Sequence, residues 1–143
     1  MPNRTGSALL VGVVLTLVGA CKTEGGFGTF TCAEVKESAC VAPTDKFVAT
    51  APVVHFVFKT KDLPKNGDVY SVKWIAEDVG AAAPANTVID TVKLTVSDMV
   101  DAATSYTVTS QLSKPNNDWP KGAYRIEVTL GEKPATTARF KIE

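Results

Sequence analysis

Hydrophobic residues are laid along this chain in two different ways. From Ala8 to Val18 they run with no charge among them, whereas from about Asp45 onward they alternate with polar residues at a period of two. The second pattern predicts strands. In "PVVHFVFK", Val54, Phe56 and Phe58 fall on one face and Val53, His55 and Val57 on the other. Both faces are largely apolar, so this strand is expected to be central and covered on both sides. "PKNGDVYSVKWIAED" places a turn at Asn66–Gly67, then a strand whose inner face carries Tyr70, Val72, Trp74 and Ala76. In "TVIDTVKLTVSD" the side shared by Val88, Val92, Leu94 and Val96 is interrupted by Asp90, which marks either a bulge or the junction of two strands. "SYTVTSQL" sets Tyr106 and Val108 against threonines. The last stretch reads as a hairpin: Tyr124, Ile126, Val128 and Leu130 alternate, a turn falls at Gly131 to Pro134, and Ala138, Phe140 and Ile142 alternate on the return. About seven short antiparallel strands with no later helical periodicity predict an all-β, two-sheet sandwich.

The first pattern predicts something else. A short polar start containing Arg4, the apolar stretch Ala8 to Val18, and small residues Gly19 and Ala20 form the layout of an export signal over residues 1–20. The stretch is too short to span about 30 Å of hydrocarbon, which takes roughly twenty apolar residues. The residue that follows is Cys21. "LVGAC" resembles the bacterial lipobox, in which the cysteine thiol receives a diacylglycerol, a peptidase cuts just before it, and the freed amine is acylated. That resemblance implies that Cys21 is the lipidated first residue of the mature chain, held in a lipid bilayer, because two or three acyl chains anchor firmly where one does so marginally. In Gram-negative members an Asp directly after the cysteine retains the protein at the inner membrane. Lys22 stands there instead, so the resemblance implies the outer membrane.

Residues 21–30 include Gly25, Gly26 and Gly28 and are expected to form a flexible tether. With Cys21 acylated, two cysteines remain. In an exported chain Cys32 and Cys40 are expected to pair, clipping the entry to a domain over residues 31–143 and constraining the unfolded chain by about 2–3 kcal/mol.

Trp74 in an early strand, followed by "DWPKGAY" opening a late one, resembles the core tryptophan and tyrosine corner of immunoglobulin-like domains. The resemblance implies an immunoglobulin-like sandwich with Tyr124 at the corner. In that family the position two beyond the tyrosine is often a core cysteine. Here it is Ile126, and the partner strand offers Phe56, so the family's core disulfide is absent. "WPKGAYRIEVTLGEKPATTARFKI" also resembles the closing hairpin of small exported bacterial domains.

Composition narrows the function more than it defines it. The 143 residues suit one domain, and 15 Lys plus Arg balance 15 Asp plus Glu, which gives no footprint for nucleic acid. No phosphate-cradling loop precedes a helix, so no nucleotide is expected. The single histidine, His55, lies among apolar strand residues and leaves no base for a nucleophile and too few ligands for zinc; no cofactor or metal is expected. The carboxylate pairs Glu77–Asp78 and Asp98 with Asp101, and the Asn116–Asp118 turn, read as strand-end and turn residues. Trp119, before Pro120, either plugs the end of the core or stands exposed as an interaction anchor. The expected function is a non-enzymatic envelope lipoprotein whose domain binds an envelope protein; the alternative is a glycan- or peptidoglycan-binding module, with a carboxylate hydrolase behind both.

Overall fold

The computed structural model describes residues 26–99 and 102–143. The export signal, Cys21, Lys22 and Asp101 lie outside them. The strands are β1 (Gly28–Cys32), β2 (Glu34–Lys36), β3 (Ala39–Val41), β4 (Lys46–Phe47), β5 (Val53–Thr60), β6 (Val69–Asp78), β7 (Thr87–Thr95), β8 (Tyr106–Ser113), β9 (Gly122–Leu130) and β10 (Lys133–Ile142), with a single 3₁₀ turn at Gly80–Ala82.

They form two main sheets. One has the order β1-β5-β8; the other has the order β4-β10-β9-β6-β7, antiparallel except where β4 joins β10 in parallel. Between them lie the inner faces named from the alternation: Val54 and Phe56 of β5, Tyr70, Val72, Trp74 and Ala76 of β6, Val108 of β8, Tyr124, Ile126 and Val128 of β9, and Phe140 and Ile142 of β10. Phe140 is the aromatic hub, stacked on Tyr124 at 5.1 Å and edge-on to Phe47 at 5.7 Å and Trp74 at 6.1 Å. Phe56 and Ile126, which stand where immunoglobulin-like domains often carry a disulfide, are both 0% exposed and fill that part of the core with hydrocarbon. The Trp74 indole donates from Nε1 to Ser110 Oγ at 3.1 Å, joining the two sheets through the core.

"TVIDTVKLTVSD" is one bulged strand. Trp74 faces Asp90 and Ile75 faces Val88, so Ile89 is the extra residue. In the final hairpin the turn is tighter than expected, occupying Gly131 and Glu132, and the irregularity falls between Pro134 and Thr136.

The larger difference is at the start. Pairing begins at Gly28 opposite Lys59, so the last three residues assigned to a tether are strand, and three short strands precede Asp45, where alternation becomes legible. These strands are made by their partners. β1 lies along β5. The β2–β3 hairpin then folds over the outer face of β5, where Cys32, Cys40 and Val57 form a second small core with Phe30 and Val35 packed against it. The expected Cys32–Cys40 disulfide is formed, with Cα atoms 5.7 Å apart. β5 is therefore covered on both faces, as its sequence predicts. The hairpin turns on Glu37 and Ser38 at φ 50° and 62°, the left-handed pair that a two-residue type I′ turn requires. Past Pro43 the chain crosses to the other sheet, with Thr31 Oγ1 donating to Thr44 O at 2.6 Å at the crossing.

Candidate functional site

The register of β5 orients the molecule. The chain enters at the end of β5 near Lys59, opposite Gly28, while the other end, at Val53, faces Ser113. At about 3.3 Å per residue the eight-residue β5 separates these ends by about 23 Å. They differ in character.

At the far end, Trp119 is 4% exposed and donates from Nε1 to Ala51 O at 2.7 Å. Its backbone N–H donates to Ala49 O at 2.8 Å, and its ring meets Tyr124 edge-on at 6.0 Å. As an exposed anchor it is corrected: an indole whose only polar atom is satisfied inside the fold contributes most as a plug. The Tyr124 hydroxyl donates to Pro120 O at 2.5 Å, closing the corner expected from "DWPKGAY". The corner is tight. Gly122 sits at φ 144°, and a Cβ there would lie 2.1 Å from Asp78 O, so only glycine lets the start of β9 approach β6. Burial pushes the Tyr124 hydroxyl above the ordinary tyrosine pKa, which keeps it a donor.

Beside this plug, the gap between the β7 edge and β8 opens as an apolar groove of about 220 Å³. Ala76, Val79, Ala83, Ile89, Leu112, Pro115 and the Trp119 and Tyr124 rings line it. Ile89 reaches it because of the bulge, and with Val88 it is one of the large apolar residues exposed to solvent. The alternation alone hides this site: Ile89 changes face only through the extra residue, and Leu112 and Ala83 come from distant segments.

A shallower trough of about 550 Å³ runs where β1 and β10 face one another, lined by Thr29, Thr31, Thr44, Asp45, Thr137 and Arg139 beside Phe30. Thr29 and Thr136 hydroxyls bridge the two strands at 2.7 Å.

The remaining candidates are accounted for locally. Glu77 pairs with Arg139 at 3.5 Å, Asp78 accepts from the Gly80 N–H at 3.2 Å, and the Lys114 ammonium lies over the Asn116–Asp118 turn, 3.3 Å from Asn117 O and 3.7 Å from Asp118. His55 is half-buried on the outer face of β5 between Cys32 and Gln111. Among the described residues no group of three His, Cys, Asp or Glu side chains could hold a metal.

No family model and no curated protein sequence matches the chain. Among solved structures it is similar to an immunoglobulin-like protein from Pseudomonas aeruginosa, at 16% identity over 85% of this chain and 95% of that one, with a TM-score of 0.47. By its own strand order, with tryptophan on the early core strand β6 and a tyrosine corner opening β9, the domain is an immunoglobulin-like β-sandwich.

Proposed function

We propose that this chain is a lipoprotein of the bacterial envelope, anchored in the outer membrane through acylated Cys21. Its sandwich binds an envelope protein without catalysing a reaction. The observation that carries the binding role is the apolar groove beside Trp119, at the end of the domain opposite the chain entry. A domain tethered at one end presents the other to partners. At about 220 Å³ the groove is smaller than the 300–1,000 Å³ usual for a cofactor or drug-sized ligand, and it suits one or two apolar side chains of a protein partner. Of the carboxylates that a hydrolase would use, Glu77 and Asp78 already hold structural partners.

A glycan reading draws on the threonine-lined trough with Phe30, Asp45 and Arg139. One pair of experiments separates the two. A photoreactive residue at position 89 of the full chain in its own envelope should give one discrete protein adduct, lost when Ala83→Trp fills the groove. Retention on purified cell-wall glycan, abolished by Arg139→Ala, with no adduct from position 89, would replace the protein-partner reading by the glycan one. The anchor is tested by the mass of the N-terminal peptide. A diacylglyceryl, N-acylated Cys21 is expected, and an unmodified cysteine refutes it.

A further inference from the structure

The entry end of the domain carries a different surface. Phe27 is 48% exposed and Leu63, in the loop between β5 and β6, is 45% exposed. The Phe27 ring is flanked by two ammoniums, Lys61 Nζ at 4.7 Å and Lys59 Nζ at 5.4 Å from its centroid. Lys65 lies in the same loop as Leu63. Its backbone N–H takes up the Asp68 carboxylate at 2.8 Å, and Asp68 and Asp62 both act on the nearby Tyr70 hydroxyl.

We propose that this end is a second membrane contact, in which Phe27 and Leu63 enter the headgroup boundary while Lys61 and Lys65 meet lipid phosphates. The inference rests on the proposed lipidation of Cys21. The occupant follows from the length of chain outside the fold. Phe27 is the sixth residue after Cys21 in the sequence, and a fully extended chain spans at most about 3.5 Å per residue, so the entry end is held within about 20 Å of the acylated residue. Tethering at that range turns a weak surface contact into an intramolecular one. Large apolar side chains beside lysines are the arrangement that settles at a bilayer interface, with hydrocarbon toward the acyl boundary and ammoniums at the phosphates. The contact would hold the groove upright, facing away from the membrane.

The test uses the full, lipid-processed chain in phosphatidylethanolamine–phosphatidylglycerol vesicles with brominated acyl chains, which quench indole fluorescence at the acyl boundary. Phe27→Trp and Leu63→Trp should lose more than half their added emission. Val48→Trp, exposed at the far end, should stay at the background of the two native tryptophans, both of them buried. Lys61→Ala with Lys65→Ala should relieve the quenching, and so should added salt. In the unmutated protein, amides over residues 61–68 should exchange more slowly on vesicles than in detergent. Protein that floats with the vesicles, yet shows position 27 and 63 emission no more quenched than position 48 and no slowing of exchange, overturns this contact and leaves the anchor standing. Protein that does not float and carries an unmodified Cys21 overturns the anchor, and this contact with it.

Discussion

The described residues form two cores, and these are held by different means. Between the main sheets seventeen buried side chains, including Phe56, Trp74, Tyr124 and Phe140, pack around an aromatic hub. Outside β5 there are three, Cys32, Cys40 and Val57, under a hairpin of two three-residue strands. Apolar burial scales with area, so the first core needs no covalent help. The second is too small to hold a hairpin whose turn is built from residues that disfavour it, and there a disulfide does the holding. Where burial is abundant, hydrophobic pattern specifies the structure; where it is scarce, a crosslink does.

That contrast can be broken in order of expected effect. Trp74→Ala removes the largest fully buried side chain and the donor to Ser110, and should cost about 3–5 kcal/mol and lower the midpoint of chemical unfolding accordingly. A loss below about 1 kcal/mol would mean that the two sheets do not depend on this packing.

Cys32→Ala with Cys40→Ala should cost less, about 2–3 kcal/mol, and in a particular place. Amides of residues 34–41 should lose exchange protection while β6, β9 and β10 keep theirs. Uniform loss across both regions would show that the hairpin and the main core unfold as one unit.

Tyr124→Phe keeps the stacked ring and deletes one partly buried hydrogen bond, and should cost about 1 kcal/mol near neutral pH. The same position also predicts a pH dependence. The Tyr124 pKa is raised in the folded state by burial, and that of Tyr70 by burial and then by Tyr106, Asp68 and Asp62. A raised folded pKa holds the proton more tightly than the unfolded chain does, so its stabilisation is complete below about pH 10 and is lost as pH rises through the folded pKa. Unfolding titrations should fall off on the alkaline side of about pH 10, less steeply in Tyr124→Phe. An unchanged slope would exclude Tyr124 from that loss.

The smallest effect sharpens the comparison from the other side. Asn and Gly are the residues that accept the left-handed pair at the β2–β3 turn, so Glu37→Asn with Ser38→Gly should stabilise the hairpin by about 1 kcal/mol. In the cysteine-free background the same change should restore part of the exchange protection of residues 34–41. Failure to do so would show that the crosslink supplies more than turn formation.

Particular residues show how far the sequence could be read. The inner faces of β6, β8, β9 and β10 are legible because apolar residues recur along them at a period of two and that face must leave water, and β5 is legible because both of its faces are apolar. The tyrosine corner is legible because "DWPKGAY" resembles the stretch that forms it in immunoglobulin-like domains. β1 to β4 are not, because Gly28 to Phe47 offers one glycine, turn formers and short apolar runs whose strand character arises only on pairing, β1 with β5, β2 with β3 and β4 with β10. The β2–β3 turn is hidden by Glu37 and Ser38, which carry no turn signature. The groove is hidden for a third reason: Ile89 joins its lining through a bulge, and the sequence signals that bulge only as Asp90 interrupting an apolar face.

By itself, then, the sequence determined a β-sandwich and its inner faces, since alternation is a local property that any fold of the chain must honour; which two of its three cysteines pair was an expectation that leaned on the lipobox resemblance. Only the tertiary structure decided that Trp119 is a plug, that an apolar groove opens beside it, and that Phe27 and Leu63 share the opposite end with the entering chain. Those features depend on which distant segments meet, and register, bulges and crossings between sheets are settled by the packing of the whole rather than by any one stretch.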